Sequence, residues 1–481
     1  MFASPIGRLT AVCLTMTALL LGLASIPARA DIGAYVIIDA NSGAVIEQEN
    51  ATRTWYPASL TKMMTAYVTF KAIREGKASL NSAVVQSANS AAEPPSKMGF
   101  KVGTRFTVDT ALKIILIKSA NDVAVALGEA IGGSESNFIA MMNAEARRLG
   151  MTGTRFTNPH GLPDNAQVTT ARDMAILAMA LRRDFPESRD FYAHPGLRFG
   201  KKTLRSANRE FLMRVPGANG MKTGYICNSG YNVAASATRG GKTLIAVVLG
   251  AGSGLERTAF ARQLFDDGFR KRGGQNITRL SGSSGGPPAD GYCRRNKSPG
   301  PKGYMARFDM EQEKQGGFLF FGKSKQADED KLDASGFTLA NGKPDWHKIL
   351  DRTLGPRRIA YRPIEVGLGN PKGSPAVSAT DTAGVSDDAG EPEAVIAGED
   401  LSPEDVPMPV ANPVRRAENE IRAKLQQTAA AEASAAGAAI PQEASGDRPG
   451  AAVDVSQTSP GSIFRKGLDF TVPVPAPSPR K

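Results

Sequence analysis

Cysteine, histidine and tryptophan are scarce: the 481 residues include three, three and two of them. Three scattered cysteines exclude a disulfide scaffold, and three isolated histidines point away from a zinc site. Outside the N-terminus no uninterrupted apolar run reaches the length of about 18 residues that a membrane helix needs, which excludes a polytopic membrane protein. Glycine and proline are in excess, at 50 and 31. That is too many for a chain compact throughout, so part of it is expected to stay unfolded. The 41% apolar fraction and 20 phenylalanines nevertheless allow one core of about 250 residues, with roughly as much chain again left over. The net charge of +12 calls for an anionic partner without saying which.

Residues 1–30 read as a secretory leader. Arg8 precedes the apolar stretch 9–24, and Ala28-Arg29-Ala30 supplies the small-x-small cleavage pattern. Cys13 has no small-residue lipobox around it. The mature chain is therefore expected to begin near Asp31, outside the cytoplasm. That placement disfavours nucleic acid as the anion and favours the carboxylate-bearing cell wall or a lipid surface.

Composition changes near Arg272. Before it, apolar periodicity is dense and turns are short. After it come Gly273-Gly274, residues 281–288, and tracts of Pro, Ala, Asp and Glu such as 402–413, which bury too little apolar surface to offset chain entropy. The expected organisation is a leader at 1–30, a folded domain at 31–272 and a largely disordered tail at 273–481. Within the tail, 337–365, with Trp346, Ile349, Leu350 and Tyr361, is a candidate ordered island. Roughly 26 basic and 27 acidic residues follow Arg272, so the positive excess belongs to the domain.

Within 31–272, short apolar runs at 35–39 and 44–48 flank a hairpin turn at Ala40-Asn41-Ser42-Gly43. A nearly all-apolar helix follows Pro57, with further helical patterns at 110–118, 122–131, 135–149 and 171–181. Strands at 220–225, 231–238 and 242–249 are joined by turns fit for antiparallel pairing, and a last helix spans 255–265. The fold class is thus mixed α/β of the α+β type. Strands from both ends make one antiparallel sheet flanked by helices, with an all-helical subdomain between them.

Three short motifs carry chemistry. Ser59-Leu60-Thr61-Lys62 opens the buried helix, where residues three apart share a face, so the hydroxyl and the amine can meet. A serine is a poor nucleophile until a neighbour takes its proton, which a desolvated neutral lysine can do. Ser119-Ala120-Asn121 sits at a break between helices, where Asn121 or Asp122 could equally cap the next helix. Lys222-Thr223-Gly224 lies on a strand before Tyr225, and a glycine there leaves room for a ligand against the strand.

Taken together and in this order, the motifs resemble those of the serine D-alanyl-D-alanine carboxypeptidases, the low-molecular-weight penicillin-binding proteins that share a fold with class A β-lactamases. The wider wording agrees: Tyr56-Pro57-Ala58-Ser59, Asn158-Pro159-His160-Gly161-Leu162, Thr170-Ala171-Arg172-Asp173-Met174, Gly220-Met221-Lys222-Thr223-Gly224 and Gly230-Tyr231-Asn232-Val233. The resemblance runs from Ile32 to about Arg272. It implies a β-lactamase/transpeptidase-like fold and a periplasmic, penicillin-sensitive enzyme that removes the terminal D-Ala from peptidoglycan pentapeptide stems through an acyl-enzyme. β-Lactams would be covalent inhibitors. By the same resemblance Ser59 attacks, Lys62 is the base, Ser119 relays a proton to the leaving amine, and Asn121 orients Lys62 and the substrate amide. Lys222, Thr223 and Arg257 meet the substrate carboxylate, and the N–H groups of Ser59 and Tyr225 hold the oxyanion. No cofactor or metal is implied.

The alternatives within reach are a DD-endopeptidase of the same family and a non-catalytic penicillin-sensing or wall-binding protein. A β-lactamase is disfavoured, since 158–173 lacks the Glu-x-x-Leu-Asn wording of that class. Many relatives carry a second β-domain and a terminal amphipathic helix. Here the prolines at 473, 475, 477 and 479 interrupt the end, so no membrane anchor is expected, and no partner for the tail is legible. Gly241-Lys242-Thr243 imitates the end of a phosphate loop but lacks its upstream glycine. His160 reads as structural. The sequence leaves open whether Cys227 and Cys293 pair or stay free.

Overall fold

The structure is a computed structural model that describes residues 32–281, 285–296, 308, 334–339, 341 and 343–371. The leader at 1–30 and all sequence after residue 371 lie outside the described residues, as do the expectations placed on them. By compactness the chain divides into Met1–Asn412 and Pro413–Lys481, and every described residue belongs to the first unit.

The chain enters as β1 (Ala34–Asp39), turns, and returns as β2 (Val45–Glu49). The Asp39 carboxylate accepts the N–H groups of Asn41 and Ser42, and Gly43 takes φ +70°, a turn its sequence announces. β3 (Ala83–Val85) and β4 (Arg105–Thr107) form a small antiparallel pair, and β5 (Gly196–Phe199) and β6 (Lys202–Arg205) form another. β7 (Ala218–Ile226), β8 (Gly230–Arg239) and β9 (Lys242–Ala251) make an antiparallel meander. β1 then pairs with β9, giving the order β2-β1-β9-β8-β7. The expected closure of one sheet by strands from both ends is what forms, with β7 on its outer edge.

β9 reads as an unbroken apolar run because both faces of the sheet are covered. Leu244, Ala246 and Val248 pack with Phe211, Leu264 and Phe265, whereas Ile245, Val247 and Leu249 join the larger core that contains Met63, Met64 and Tyr67. The alternation follows from the pleat. Helices Lys62–Arg74, Asn121–Gly132, Glu135–Arg148 and Ala171–Asp184 supply the helical part. The single helix expected over 110–118 is instead an α-helix at Val108–Lys113 followed by a π-turn at Ile114–Lys118. The wider turn delivers Ser119 in the left-handed region, at φ 71°.

Folded chain continues past the boundary expected at Arg272. Helix Trp346–Leu354 lays Ile349, Leu350 and Leu354 against Leu255 and Ala259 of helix Gly254–Gly268. Arg214 pairs with Asp351 and donates to the Gly355 carbonyl at 2.7 Å. β10 (Ile364–Val366) adds parallel to β5, and Thr110 Oγ1 donates to the Gly367 carbonyl at 2.6 Å. The candidate island at 337–365 holds this helix, but its packing partner was not legible, because the segment has too little apolar surface for a core of its own. It is ordered by a face the domain offers, which local sequence does not display.

Candidate active site

The approach to Ser59 is forced. Trp55 is buried, its N–H pairs with the Thr169 carbonyl, and Ala58 sits at φ +48°, a conformation alanine rarely adopts. Gly161 packs so closely on this kink that a Cβ there would lie 1.9 Å from the Ala58 carbonyl oxygen. Ser59 lies within a 3-10 turn, Ala58–Thr61, that runs directly into helix Lys62–Arg74. Such a turn places residues three apart on one line, and Lys62 Nζ is 3.1 Å from Ser59 Oγ.

Lys62 is fully buried and has two further partners, Asn121 Oδ1 at 2.8 Å and the His160 carbonyl at 2.8 Å. The Asn121 amide is oriented by its Nδ2, which donates to the Pro94 carbonyl at 2.9 Å. Burial, and then the charge of Lys222, hold the Lys62 ammonium well below the ordinary lysine range. A neutral amine has two N–H groups and one lone pair. The oxygens of Asn121 and His160 can only accept, so they take the two N–H groups and leave the lone pair for the Ser59 hydroxyl proton.

A second cluster faces the first. Lys222 Nζ donates to Ser119 Oγ at 2.9 Å and to the Thr223 carbonyl at 2.9 Å. Burial, reinforced by Arg257, pulls Lys222 down to about 7. Arg257 is itself buried, donates to the Ala207 carbonyl at 3.0 Å and lies over the Tyr231 ring. Among the described residues no carboxylate makes an ion pair with Lys222 or Arg257. Two buried cations without a counter-ion form a receptor for an anion.

At this scale the local surroundings separate readings that the sequence left open. Asn121 does not cap its helix, because the N-cap residue is Ala120 and it makes no side-chain cap. Gly224 also has a steric reason to be small: a Cβ there would lie 2.9 Å from the Ser59 nitrogen and 3.0 Å from the Pro57 carbonyl. The glycine lets β7 lie against the turn that bears the serine. Tyr225 is partly exposed, its ring 4.3 Å from that of Tyr231. Thr223 is buried beside Lys222. The His160 ring points away from Ser59, with Nε2 3.2 Å from Glu93 and Nδ1 accepting the Leu162 N–H.

The sequence reading gave no role to the His160 carbonyl, Pro94 or Asn232. Asn232 Nδ2 donates to the Tyr56 and Pro57 carbonyls at 3.0 and 3.3 Å, tying β8 to the stretch that enters Ser59. Backbone carbonyls leave no trace in residue identity, and the wording around His160 and Asn232 was the only signal available.

A family model described as D-alanyl-D-alanine carboxypeptidase, peptidase S11, matches residues 23–253. The chain is similar to the D-alanyl-D-alanine carboxypeptidase DacC of Escherichia coli, at 39% identity over 248 residues, 50% of this chain and 62% of that protein. It is also similar to DacB2 of Mycobacterium tuberculosis, described as the same enzyme, at 32% identity over 221 residues, 45% of this chain and 73% of that one. The chain spans 61% to 62% of the length of the DacC and DacA relatives it matches. Among solved structures, penicillin binding protein 5 from Haemophilus influenzae shows 35% identity over 51% of this chain and 73% of that chain, with a TM-score of 0.48.

Proposed function

The chain belongs to the D-alanyl-D-alanine carboxypeptidase family, peptidase S11, and from that premise we propose that it is a penicillin-sensitive serine carboxypeptidase acting on peptidoglycan pentapeptide stems outside the cytoplasm. The observation that carries the proposal is the hydrogen-bonding of Lys62. A buried amine whose two N–H groups are committed to Asn121 and His160 has its lone pair left for Ser59.

In this reading neutral Lys62 takes the Ser59 proton as Oγ attacks the carbonyl carbon of the penultimate D-Ala. The negative charge that develops on the carbonyl oxygen is held by the N–H groups of Ser59 and Tyr225. As the C–N bond breaks, the proton held by Lys62 passes through the Ser119 hydroxyl to the leaving amine, which returns Lys62 to the neutral form; that hydroxyl is hydrogen-bonded to Lys222. The departing D-Ala carboxylate is held by Lys222, Thr223 and Arg257, the two buried cations supplying its counter-charge. Water, deprotonated by Lys62, then cleaves the acyl ester and regenerates Ser59. A β-lactam follows the first half: Oγ adds to the lactam carbonyl, the ring C–N bond opens, and the ester persists.

Labelled penicillin tests the acylation half. Wild type is expected to bind it covalently and Ser59→Ala not at all. Release of free D-Ala from a pentapeptide tests turnover, and label without release would favour a sensor. Cleavage of a cross-linked dimer in preference to the pentapeptide would favour the endopeptidase. Export through the leader at 1–30 is checked by fractionation, with mature protein expected in the periplasmic fraction and not in salt-washed membranes.

A further inference from the structure

The turn that follows Tyr225 is held by chain that lies far beyond it in sequence. Cys227 is disulfide-bonded to Cys293, and the Cys293 N–H donates to the Cys227 carbonyl at 2.9 Å. Asn228 grips the same segment at two points: its Nδ2 donates to Asp290 at 2.7 Å, and its Oδ1 accepts the Gly291 N–H at 2.9 Å. Tyr292 sits in a socket made for it. A Cβ on Gly230 or Gly250 would lie 2.9 or 3.0 Å from its side chain, and its hydroxyl donates to the Gly250 carbonyl at 2.8 Å.

The other side of that socket is the approach to the serine. The Tyr292 ring meets the Trp55 ring edge-on at 5.3 Å, and Trp55 Nε1 donates to the Ser229 carbonyl at 2.9 Å. Trp55 stands four residues before Ser59, and Ser229 stands four residues after Tyr225. Burial, and after it the charge of Asp290, push the Tyr56 phenol up. One short segment thus touches both stretches of chain that bring the proposed oxyanion donors, the N–H groups of Ser59 and Tyr225, to the same place.

We propose that residues 289–296, pinned by Cys227–Cys293, are a positioning clamp that sets the spacing between the end of β7 and the turn bearing Ser59, and so sets the rate of Ser59 acylation. The inference rests on the serine-peptidase reading given above. The contacts of the clamp run to Trp55, Cys227, Asn228 and Gly250, around the approach to Ser59 and the turn after β7, so it governs the chemical step more than substrate binding. Misplacing an oxyanion donor by a fraction of an ångström weakens its hold on the transition state without removing the anchor of the substrate carboxylate. Cys227, Asn228, Asp290 and Tyr292 are positioning residues in this account.

The test uses the full chain in three forms: oxidised, treated with dithiothreitol, and Cys227→Ser/Cys293→Ser. The reagent closes to its cyclic disulfide while the two sulfurs take up its two electrons and two protons. Penicillin acylation rate, kcat and KM for D-Ala release, and the melting temperature are measured for each. Without the bond, the acylation rate and kcat are expected to fall about tenfold, with KM within about twofold, at temperatures well below melting. As a milder pair that keeps the disulfide, Asp290→Ala is expected to slow acylation about threefold, and Asp290→Asn, which retains an acceptor for Asn228, to restore it.

Bond-free protein that acylates at the oxidised rate overturns the clamp, as does a loss that vanishes once scaled to the folded fraction. If the double serine variant does not fold, the Asp290 pair decides, and equal rates for both variants and wild type overturn the proposal. Oxidised wild type that takes no penicillin label refutes the catalytic reading instead, and the clamp with it.

Discussion

Lys62 and Lys222 are both buried in different hydrogen-bond environments, and burial together with a neighbouring cation pulls both below the ordinary lysine range. Lys62 donates to two pure acceptors and faces a hydroxyl, an arrangement satisfied by the neutral amine. Lys222, at about 7, is poised to be charged when an anion arrives. Acylation by an anionic penicillin is therefore expected to follow a bell in kcat/KM. The rising limb is loss of the Lys62 proton, and the falling limb is loss of the Lys222 proton above about 7. The two lysines interact, so the limbs report the pair. Bound carboxylate favours charged Lys222, so the falling limb of kcat should lie at higher pH than that of kcat/KM. Lys62→Ala should lower the acylation rate about 10²- to 10⁴-fold, read by stopped-flow with a fluorescent penicillin. Gly224→Ala forces β7 away from the Ser59 nitrogen. It is expected to slow acylation about tenfold or more while Ser59 and Lys62 remain in place.

At the scale of elements, three junctions build the site: a 3-10 turn entering a helix, a π-turn ending at Ser119, and an edge strand. An edge strand suits peptide substrates because it has no neighbour on its outer side, and β7 occupies that position. Helix and strand periodicity predict the strands of the main sheet and the long helices to within a few residues, and give none of the short strands β3 to β6 and β10. The π-turn is invisible to periodicity, because Ile114-Ile115-Leu116-Ile117 is apolar at every position and so carries no phase that an inserted residue could shift. Helix Trp346–Leu354 shows the converse. Its apolar face is readable, but the surface it covers is not, being assembled from Leu255 and Ala259 of another helix. Ile349→Ala should cost about 2 kcal/mol or more in urea unfolding. The acylation rate should stay within about twofold, because Ile349 belongs to a small apolar cluster with Leu255, Ala259 and Leu354, separate from the core that holds Leu60 and Met63 beside Ser59 and Lys62.

For the whole molecule, the buried cations carry a stability signature. The Lys222 value of about 7 lies below the unfolded 10.5, so between those values the unfolded chain binds more protons than the folded one. Its contribution to the unfolding free energy therefore rises as pH increases from about 7 towards 10.5, on the order of a few kcal/mol in all, and the gain is absent below the folded value. Lys222→Met should flatten that rise in denaturant titrations at a series of pH values. Truncation after Arg272 removes the disulfide partner Cys293, the Tyr292 plug and helix Trp346–Leu354 together. The shortened chain is expected to melt several degrees lower, since disulfide loss alone typically costs about 2–5 kcal/mol.

The amino-acid order by itself determined the mixed α/β class, the antiparallel closure of the sheet, and the serine, lysine and asparagine that could do chemistry. Those follow from periodicity, turn residues and motif wording, all of which act over a few positions along the chain. Tertiary structure alone decided that Gly224 makes room for the turn that bears Ser59, that a backbone carbonyl at His160 orients Lys62, and that Cys227 reaches Cys293. Each of these depends on two segments distant in sequence meeting at close range, and neither segment carries the other's position in its own residues.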